Sequence, residues 1–337
     1  MFTAQDIASI HNMIDTFPVS SQVAIAKIDG ESAEHFGVVK TQAGIETIQN
    51  EHAIFEVGSI SKLFTSSLLA QSVCDKRIHL DDPIQGQLGF PLKNNANITY
   101  KELATHTSGL PSIPLALLLR IVFGSKKNPY RDYDENTLLD DLKNNINLKK
   151  KGVLRYSNLG AGLLGYVLAK MAGKSYEDLL QQQLFTPLNM PNTTTNRELI
   201  QNKLVLGLDK KGRVTNNWDL NVLAGAGAVL SSTHDLSKFM IANIKNELDY
   251  LRLQRQHIYH KGKNSMGLGW FILKNHIPNS DEVYFHNGGT GGYRSSMVLN
   301  MEKGQGIVVL SNISALYMFK NTKVDNLAFK LLENCNN

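Results

Sequence analysis

A serine and a lysine three residues apart, Ser59 and Lys62 in Phe55-Glu56-Val57-Gly58-Ser59-Ile60-Ser61-Lys62-Leu63-Phe64, are the pair in this chain best placed to do chemistry. Three residues is close to one helical turn, so the two side chains share a face. Ala53 to Val57 reads as a short apolar strand ending at Gly58, and Leu63, Phe64, Leu68 and Leu69 recur at helical spacing through about Arg77. Ser59 is therefore expected at a helix N-terminus, where unpaired N–H groups and the positive end of the dipole favour an oxyanion. Lys62 would be the neighbouring base. A lysine amine titrates near ~10.4 in water, so it activates a serine only where burial or another cation disfavours its charged form. A capping serine followed by a solvated lysine has the same spacing, so the case rests on what else is present.

Two further stretches can join them. In Leu154-Arg155-Tyr156-Ser157-Asn158-Leu159-Gly160, a polar loop before an apolar helix, Tyr156 beside a charged Lys62 would be drawn toward phenolate and shuttle protons. Asn158 can bridge Lys62 and a substrate carbonyl, having both donor and acceptor atoms. The other reading is a helix cap with a tyrosine packed on it. In Phe285-His286-Asn287-Gly288-Gly289-Thr290-Gly291-Gly292-Tyr293-Arg294, glycines after a strand let a backbone edge approach a ligand, and His286 would add a partly cationic group. A plain glycine-rich hairpin is the alternative. Phosphate-loop and dinucleotide fingerprints are not met, and no Gly-x-Ser-x-Gly elbow occurs.

Composition bounds the rest. The 337 residues are 42% apolar and 19% charged, enough for a large core in one domain or two. The formal charge of +5 is dispersed, Lys149-Lys150-Lys151 being its densest cluster, so nucleic-acid binding is not expected. Cys74 and Cys335 have no pairing pattern and read as free thiols. His257 and His260 read as part of a surface helix, and neither a metal nor a cofactor is implied. Met1 to Phe17 carries Ile7, Ile10, Met13 and Ile14 at helical spacing behind Thr3, which reads as a docking helix. No apolar run is long enough to span a bilayer. The expected location is cytoplasmic, or periplasmic or secreted if a leader has been removed.

The elements that must position these residues fall into two groups. Strands are expected at Gln22 to Ile28, His35 to Lys40, Leu268 to Leu273, Glu282 to His286, Ser295 to Asn300 and Ile307 to Ser311. Between them come helices at Tyr100 to Thr105, Leu115 to Phe123, Glu135 to Asn145, Gly160 to Ala172 and Ser175 to Leu184. Others follow from Ser231 to Ile244 and at Lys323 to Leu332. The expected class is α+β: one antiparallel sheet built from both chain termini and flanked by helices (1–80 and 225–337), with a mainly helical insertion (81–224) and a cleft between them. The cleft rim is expected at Pro111 to Arg131 and Leu148 to Arg155.

Taken together and in order, Ser59-Ile60-Ser61-Lys62, Tyr156-Ser157-Asn158 and His286-Asn287-Gly288 resemble the three motifs of the serine β-lactamase and penicillin-binding-protein superfamily. The nearest branch holds class C β-lactamases, D-Ala-D-Ala carboxypeptidases and β-lactamase-like esterases. Leu80 to Pro83, Ile98-Thr99, Leu103 to Pro111 and Gly225 to Asp235 are also similar, so the resemblance covers roughly 20–312. It implies a nucleophile at Ser59, proton transfer by Lys62 and Tyr156, and substrate binding by Asn158, His286, Asn287, Gly288 and Gly289. By position, the N–H groups of Ser59 and Gly289 would form the oxyanion hole. Relatives usually carry Lys-Thr-Gly where this chain has His286-Asn287-Gly288. A histidine near neutrality is charged only in part, whereas a lysine holds a fixed charge for a substrate carboxylate, so ester or amide/peptide hydrolysis is ranked above β-lactam hydrolysis, with Arg294 the next cation in line. The substrate would be a small molecule or peptide. A catalytically silent binding or self-assembling protein is the competing class.

Overall fold

In the computed structural model, which describes residues 1–123, 128–314 and 323–335, helix α1 (Ala4–Asp15) is followed by strands β1 (Gln22–Asp29), β2 (Ser32–Lys40), β3 (Ile45–Ile48) and the two-residue β4 (Phe55–Glu56). Thr3 starts α1 as expected. Its hydroxyl accepts from Asp6 N–H at 3.1 Å while the Asp6 carboxylate accepts from Thr3 N–H at 3.0 Å, a reciprocal cap of the kind that contributes about 1 kcal/mol. After a 3-10 turn at Gly58–Ile60 comes α2 (Ser61–Cys74). The helices α3 (Gln85–Leu88), α4 (Tyr100–Ala104), α5 (Leu115–Phe123), α6 (Glu135–Asp140), α7 (Asn158–Ala172) and α8 (Tyr176–Leu180) fill the middle of the chain. The last part holds β5 (Leu230–Ser231), α9 (Thr233–Lys245), α10 (Asp249–Arg255), β6 (Tyr259–Lys261), β7 (Asn264–Met266), β8 (Phe271–Lys274), β9 (Glu282–Gly289), β10 (Arg294–Asn300), β11 (Gln305–Ser311) and α11 (Lys323–Asn334).

One antiparallel nine-stranded sheet has the order β3-β2-β1-β11-β10-β9-β8-β7-β6, so strands from both ends of the chain meet at β1 and β11. Its central strands are continuous apolar runs because both faces are covered. Val23, Ile25, Val298, Ile307 and Val309 face Ile10 and Ile14 of α1 and Val324, Leu327 and Leu331 of α11. Their neighbours Ala24, Ala26, Met297, Val308 and Leu310 belong to the larger core, with Phe64, Leu68, Leu236 and Phe239. That core continues without a break into Leu103, Leu159, Leu163, Leu180 and Phe185 of the middle helices. Between 81 and 224 the described residues contribute no strand to either sheet.

Some expectations fail at identifiable places. Ala53 to Val57 does not join the large sheet: Phe55 and Glu56 pair with Ser231 and Leu230 in a separate two-stranded ribbon. His257 lies beyond α10 and bonds Ser265 and Glu282, while His260 is in β6, so neither is on a surface helix. Of the expected rim segment 111–131, residues 124–127 lie outside those described. No helix among the described residues is long and apolar enough to cross a membrane.

Candidate active site

Ser59 sits in the 3-10 turn before α2 rather than in the helix itself. That turn is possible because Gly58 adopts φ 52°, and because a Cβ there would fall 2.5 Å from the Gly289 amide nitrogen. Glycine is thus needed both for the backbone angle and for the approach of β9. On the other side a Cβ at Gly288 would meet the Val57 carbonyl oxygen at 1.9 Å and the Ser59 amide nitrogen at 2.9 Å. Ser295 of β10 holds the same Val57 carbonyl with a hydrogen bond of 2.7 Å. Because β8 pairs only with Glu282 to Phe285, the stretch 286–289 keeps a free edge beside Ser59.

Lys62, the second residue of α2, is 2% exposed, and burial pushes its amine well below the ordinary lysine range. Its Nζ lies 2.7 Å from the Ala226 carbonyl, 2.9 Å from Asn158 Oδ1 and 2.9 Å from Ser59 Oγ. A neutral amine has two N–H donors and one lone pair. In that form, which burial favours, the two carbonyl oxygens can take the donors and the lone pair can accept from the Ser59 hydroxyl. Lys62 Nζ also stands 4.8 Å from the centre of the Tyr156 ring.

The elements behind these contacts are specific. Ser157 caps α7 by accepting from Gly160 N–H at 2.9 Å, which sets Asn158 as the first helical residue. Its side-chain amide also donates to the Tyr130 hydroxyl at 3.3 Å. The 3-10 segment Asn221–Ala226 packs on α7 at two glycines: a Cβ at Gly162 would meet Leu223 Cδ2 at 2.6 Å, and one at Gly165 would meet Gly225 Cα at 2.9 Å. This close approach brings the Ala226 carbonyl to Lys62.

Burial pushes the Tyr156 phenol well above its ordinary range, and the neighbouring Ser59 hydroxyl offsets this only in part. The expected drift to phenolate does not occur, because burial outweighs the pull of the groups around it. Tyr156 is a neutral phenol that can donate. Two buried imidazoles flank it, with ring centres 4.5 Å (His106) and 6.3 Å (His286) away. His106, at φ 57°, accepts from Ser157 N–H at its Nδ1, and burial drives it well below the ordinary histidine range.

His286 and Asn287 are where the sequence expectation needs correcting. His286 is fully buried, and burial, aided by Lys62, drives its imidazole down to about 3. Its Nδ1 donates to the Asn287 carbonyl at 2.7 Å, which leaves the Nε2 lone pair without a partner. It is no partial cation at neutral pH. The Asn287 side chain turns to α11 instead, donating to Asp325 Oδ2 at 2.9 Å, and Arg294 is paired with the same oxygen. Gly288 and Gly289 do lie against the Ser59 turn.

Several residues at the site had no sequence signal of their own. Asp325 and the buried Glu56 are two, while Tyr130 fell only within the expected rim and Ala226 only within the similar stretch Gly225 to Asp235. Glu56 accepts from Asn217 Nδ2 at 2.8 Å and Trp218 N–H at 3.0 Å, and burial raises its carboxyl above the usual range. His106 falls in the Leu103–Pro111 stretch, where resemblance was the only clue. A cavity of 530 Å³ lined by Gln71, Arg77, Lys174 and Tyr250 lies at the far end of α2 and holds none of these groups.

The family description "Beta-lactamase" matches residues 23–328. "Protein flp" of Staphylococcus aureus (strain MW2) is 25% identical over 81% of this chain, which spans only 56% of that protein. The "D-alanyl-D-alanine-carboxypeptidase/endopeptidase AmpH" of Escherichia coli (strain K12) is 26% identical over 89% of this chain and 81% of its own length. Among solved structures, the octameric penicillin-binding protein homologue from Pyrococcus abyssi superposes with a TM-score of 0.81, at 23% identity over 100% of this chain and 78% of its own. A class C beta lactamase from Rhodobacter sphaeroides gives 0.80, at 18% identity over 99% of both chains. With the family match covering most of its length, and with the α+β fold of those structures, the chain belongs to the Beta-lactamase family.

Proposed function

We propose that this chain is a serine acyl hydrolase that cleaves ester or amide/peptide bonds through an acyl-enzyme on Ser59. The observation that carries the reading is the Lys62 amine: buried, 2.9 Å from Ser59 Oγ, with its other hydrogen-bonding directions taken by two carbonyl oxygens. In the first half, Ser59 Oγ attacks the substrate carbonyl carbon and its proton passes to Lys62 Nζ. The developing oxyanion is received by the N–H groups of Ser59 and Gly289. Tyr156 gives its proton to the leaving group and is restored from Lys62. In the second half, water attacks the acyl-enzyme, giving up a proton by the reverse path, and Ser59 is released with the acid. Asn158 orients both the lysine and the substrate carbonyl.

A carboxypeptidase or β-lactamase acting on anionic substrates is the second reading, favoured by the name of the E. coli relative. It ranks lower because His286 is neutral and Arg294 is already paired. A silent binding protein is the remaining class, and it has no use for a desolvated lysine on a serine hydroxyl.

The test is covalent labelling of the purified chain with a fluorophosphonate, read by intact mass, beside hydrolysis of p-nitrophenyl esters. Ser59→Ala is expected to lose the adduct and to lower hydrolysis by about a thousandfold or more, with an unchanged fold by circular dichroism. An adduct on Ser59→Ala protein, or an unlabelled wild type without turnover, removes the assignment.

A further inference from the structure

A substrate that carries a carboxylate beside its scissile bond needs a cation to receive it, and the cation nearest the third motif already has a carboxylate of its own. Asp325, in the first turn of α11, is 3% exposed. Its Oδ2 accepts from Arg294 Nη2 at 2.5 Å and from Asn287 Nδ2 at 2.9 Å. Both donors come from the stretch expected to meet substrate. Asn287 is the middle residue of the motif, and Arg294 pairs across the sheet with Gly289, whose amide abuts the Ser59 turn. The Arg294 charge acts on the Tyr156 phenol, so the guanidinium is within electrostatic reach of the reacting groups.

Among the described residues, the other basic groups packed around Ser59 offer no replacement. Lys62 is buried with its Nζ already bonded to Ser59, Asn158 and Ala226, both imidazoles are held well below the ordinary histidine range, and Arg197 is held by Asp219 at 2.6 Å and lies 3.6 Å from Glu56. Resting on the acyl-hydrolase reading, we infer that Asp325 determines specificity by filling, from inside the fold, the anion-binding position that Arg294 and Asn287 make. An incoming carboxylate must then either displace Asp325 from two donors or settle beside a like charge, and both disfavour it. Substrates uncharged at that end meet no such obstacle. The favoured class is therefore neutral esters and amides, and Asp325 rejects acids without touching the reacting atoms.

Asp325 also ties α11 to the sheet, and a purely structural strut would have a different signature. Losing a strut changes stability and lowers turnover of every substrate alike. Losing an internal competitor changes the ratio between substrates that differ only in charge. The experiment uses a depsipeptide ester with a free terminal carboxylate and the same ester with a terminal carboxamide, assayed on the full chain. Wild type is expected to favour the carboxamide in kcat/KM. Asp325→Asn, which keeps shape and removes charge, is expected to raise the acid-to-amide ratio by about tenfold or more. Adding Arg294→Gln to that variant is expected to abolish the gain, which shows that it runs through the freed guanidinium.

A wild type that prefers the acid overturns the inference without any variant being needed. So does an Asp325→Asn ratio within about twofold of wild type. Asp325→Ser repeats the measurement should the asparagine variant fail to fold. Failure of the underlying reading looks different: neither ester is turned over, Ser59 takes no fluorophosphonate, and the inference falls with the reading.

Discussion

A free imidazole is half charged near ~6.5, so His286 read from the sequence is a pH-dependent cation. Burial wins over that tendency and brings it to about 3. Between about pH 5 and 8 the ring is neutral at both ends of the range. The expected outcome is that the KM ratio of anionic to neutral substrates stays flat across that window in a steady-state assay. A ratio that climbs as pH rises through 6.5 would mean that His286 titrates in place. That Ser59, Lys62, Tyr156 and Asn158 come together was legible, because residue type and order carry information. Tyr130 and the Ala226 carbonyl were not, because a single tyrosine or a backbone oxygen has no spacing that marks it. Charge state was the deeper failure. Whether Lys62 is an amine and Tyr156 a phenol depends on how completely neighbours exclude water, and that is a property of the packed fold.

At the scale of elements, the contact between α7 and the 221–226 turn sets the lysine. Adding a methyl group at Gly165 puts a carbon 2.9 Å from the Gly225 backbone and 3.1 Å from the Tyr176 ring. Overpacking of this kind costs about 1–3 kcal/mol. It also pushes the Ala226 carbonyl off Lys62. Gly165→Ala is expected to lower kcat for every substrate while Ser59 still takes a fluorophosphonate, at a reduced rate; an unchanged kcat would show that the carbonyl is not needed. Elements with both a cap and a periodic face, such as α1 behind Thr3 and α9 behind Ser232, were readable from sequence. Strands β6 and β7 were not, being three residues each and largely polar, and α10 is a seven-residue helix without a side-chain cap. Ala53 to Val57 looked like a sheet strand because it is apolar; its partner, Leu230-Ser231, was invisible in the local pattern.

For the whole molecule, four of the ten histidines shift in one direction. His35, His106, His234 and His286 are all held below the free value, mainly by burial. Below about pH 6.5 the unfolded chain therefore binds more protons than the folded one. Their contribution to stability is fully present above that pH and is lost as pH falls, down to about 3 for His286. Lys62 acts in the same sense at higher pH, while the raised carboxyl of Glu56 opposes it. Melting temperature is expected to drop steadily from pH 7 to 5 by calorimetry, and His35→Asn is expected to flatten the slope. A Tm that is constant over that interval would show that these rings are reached by water and titrate normally. The α+β plan was legible because apolar runs from both termini required a common sheet. The pairing order within it was not, since nothing in β1 names β11 as its neighbour.

That neighbour has a consequence for how the chain acquires its shape. Val23 lies opposite Ser311, so an early strand waits for one far downstream. Until residues 305–311 emerge during synthesis, the meander of β1 to β3 exposes a bare edge and an apolar face. Contacts of such long sequence separation slow folding. A chain cut before Gln305 is expected to remain protease-sensitive and to associate through that edge, whereas one that includes Ser311 closes it. Ser59 is synthesised well before Gly288 and Gly289, so on the proposed reading its oxyanion site is complete only once β9 has packed against its turn.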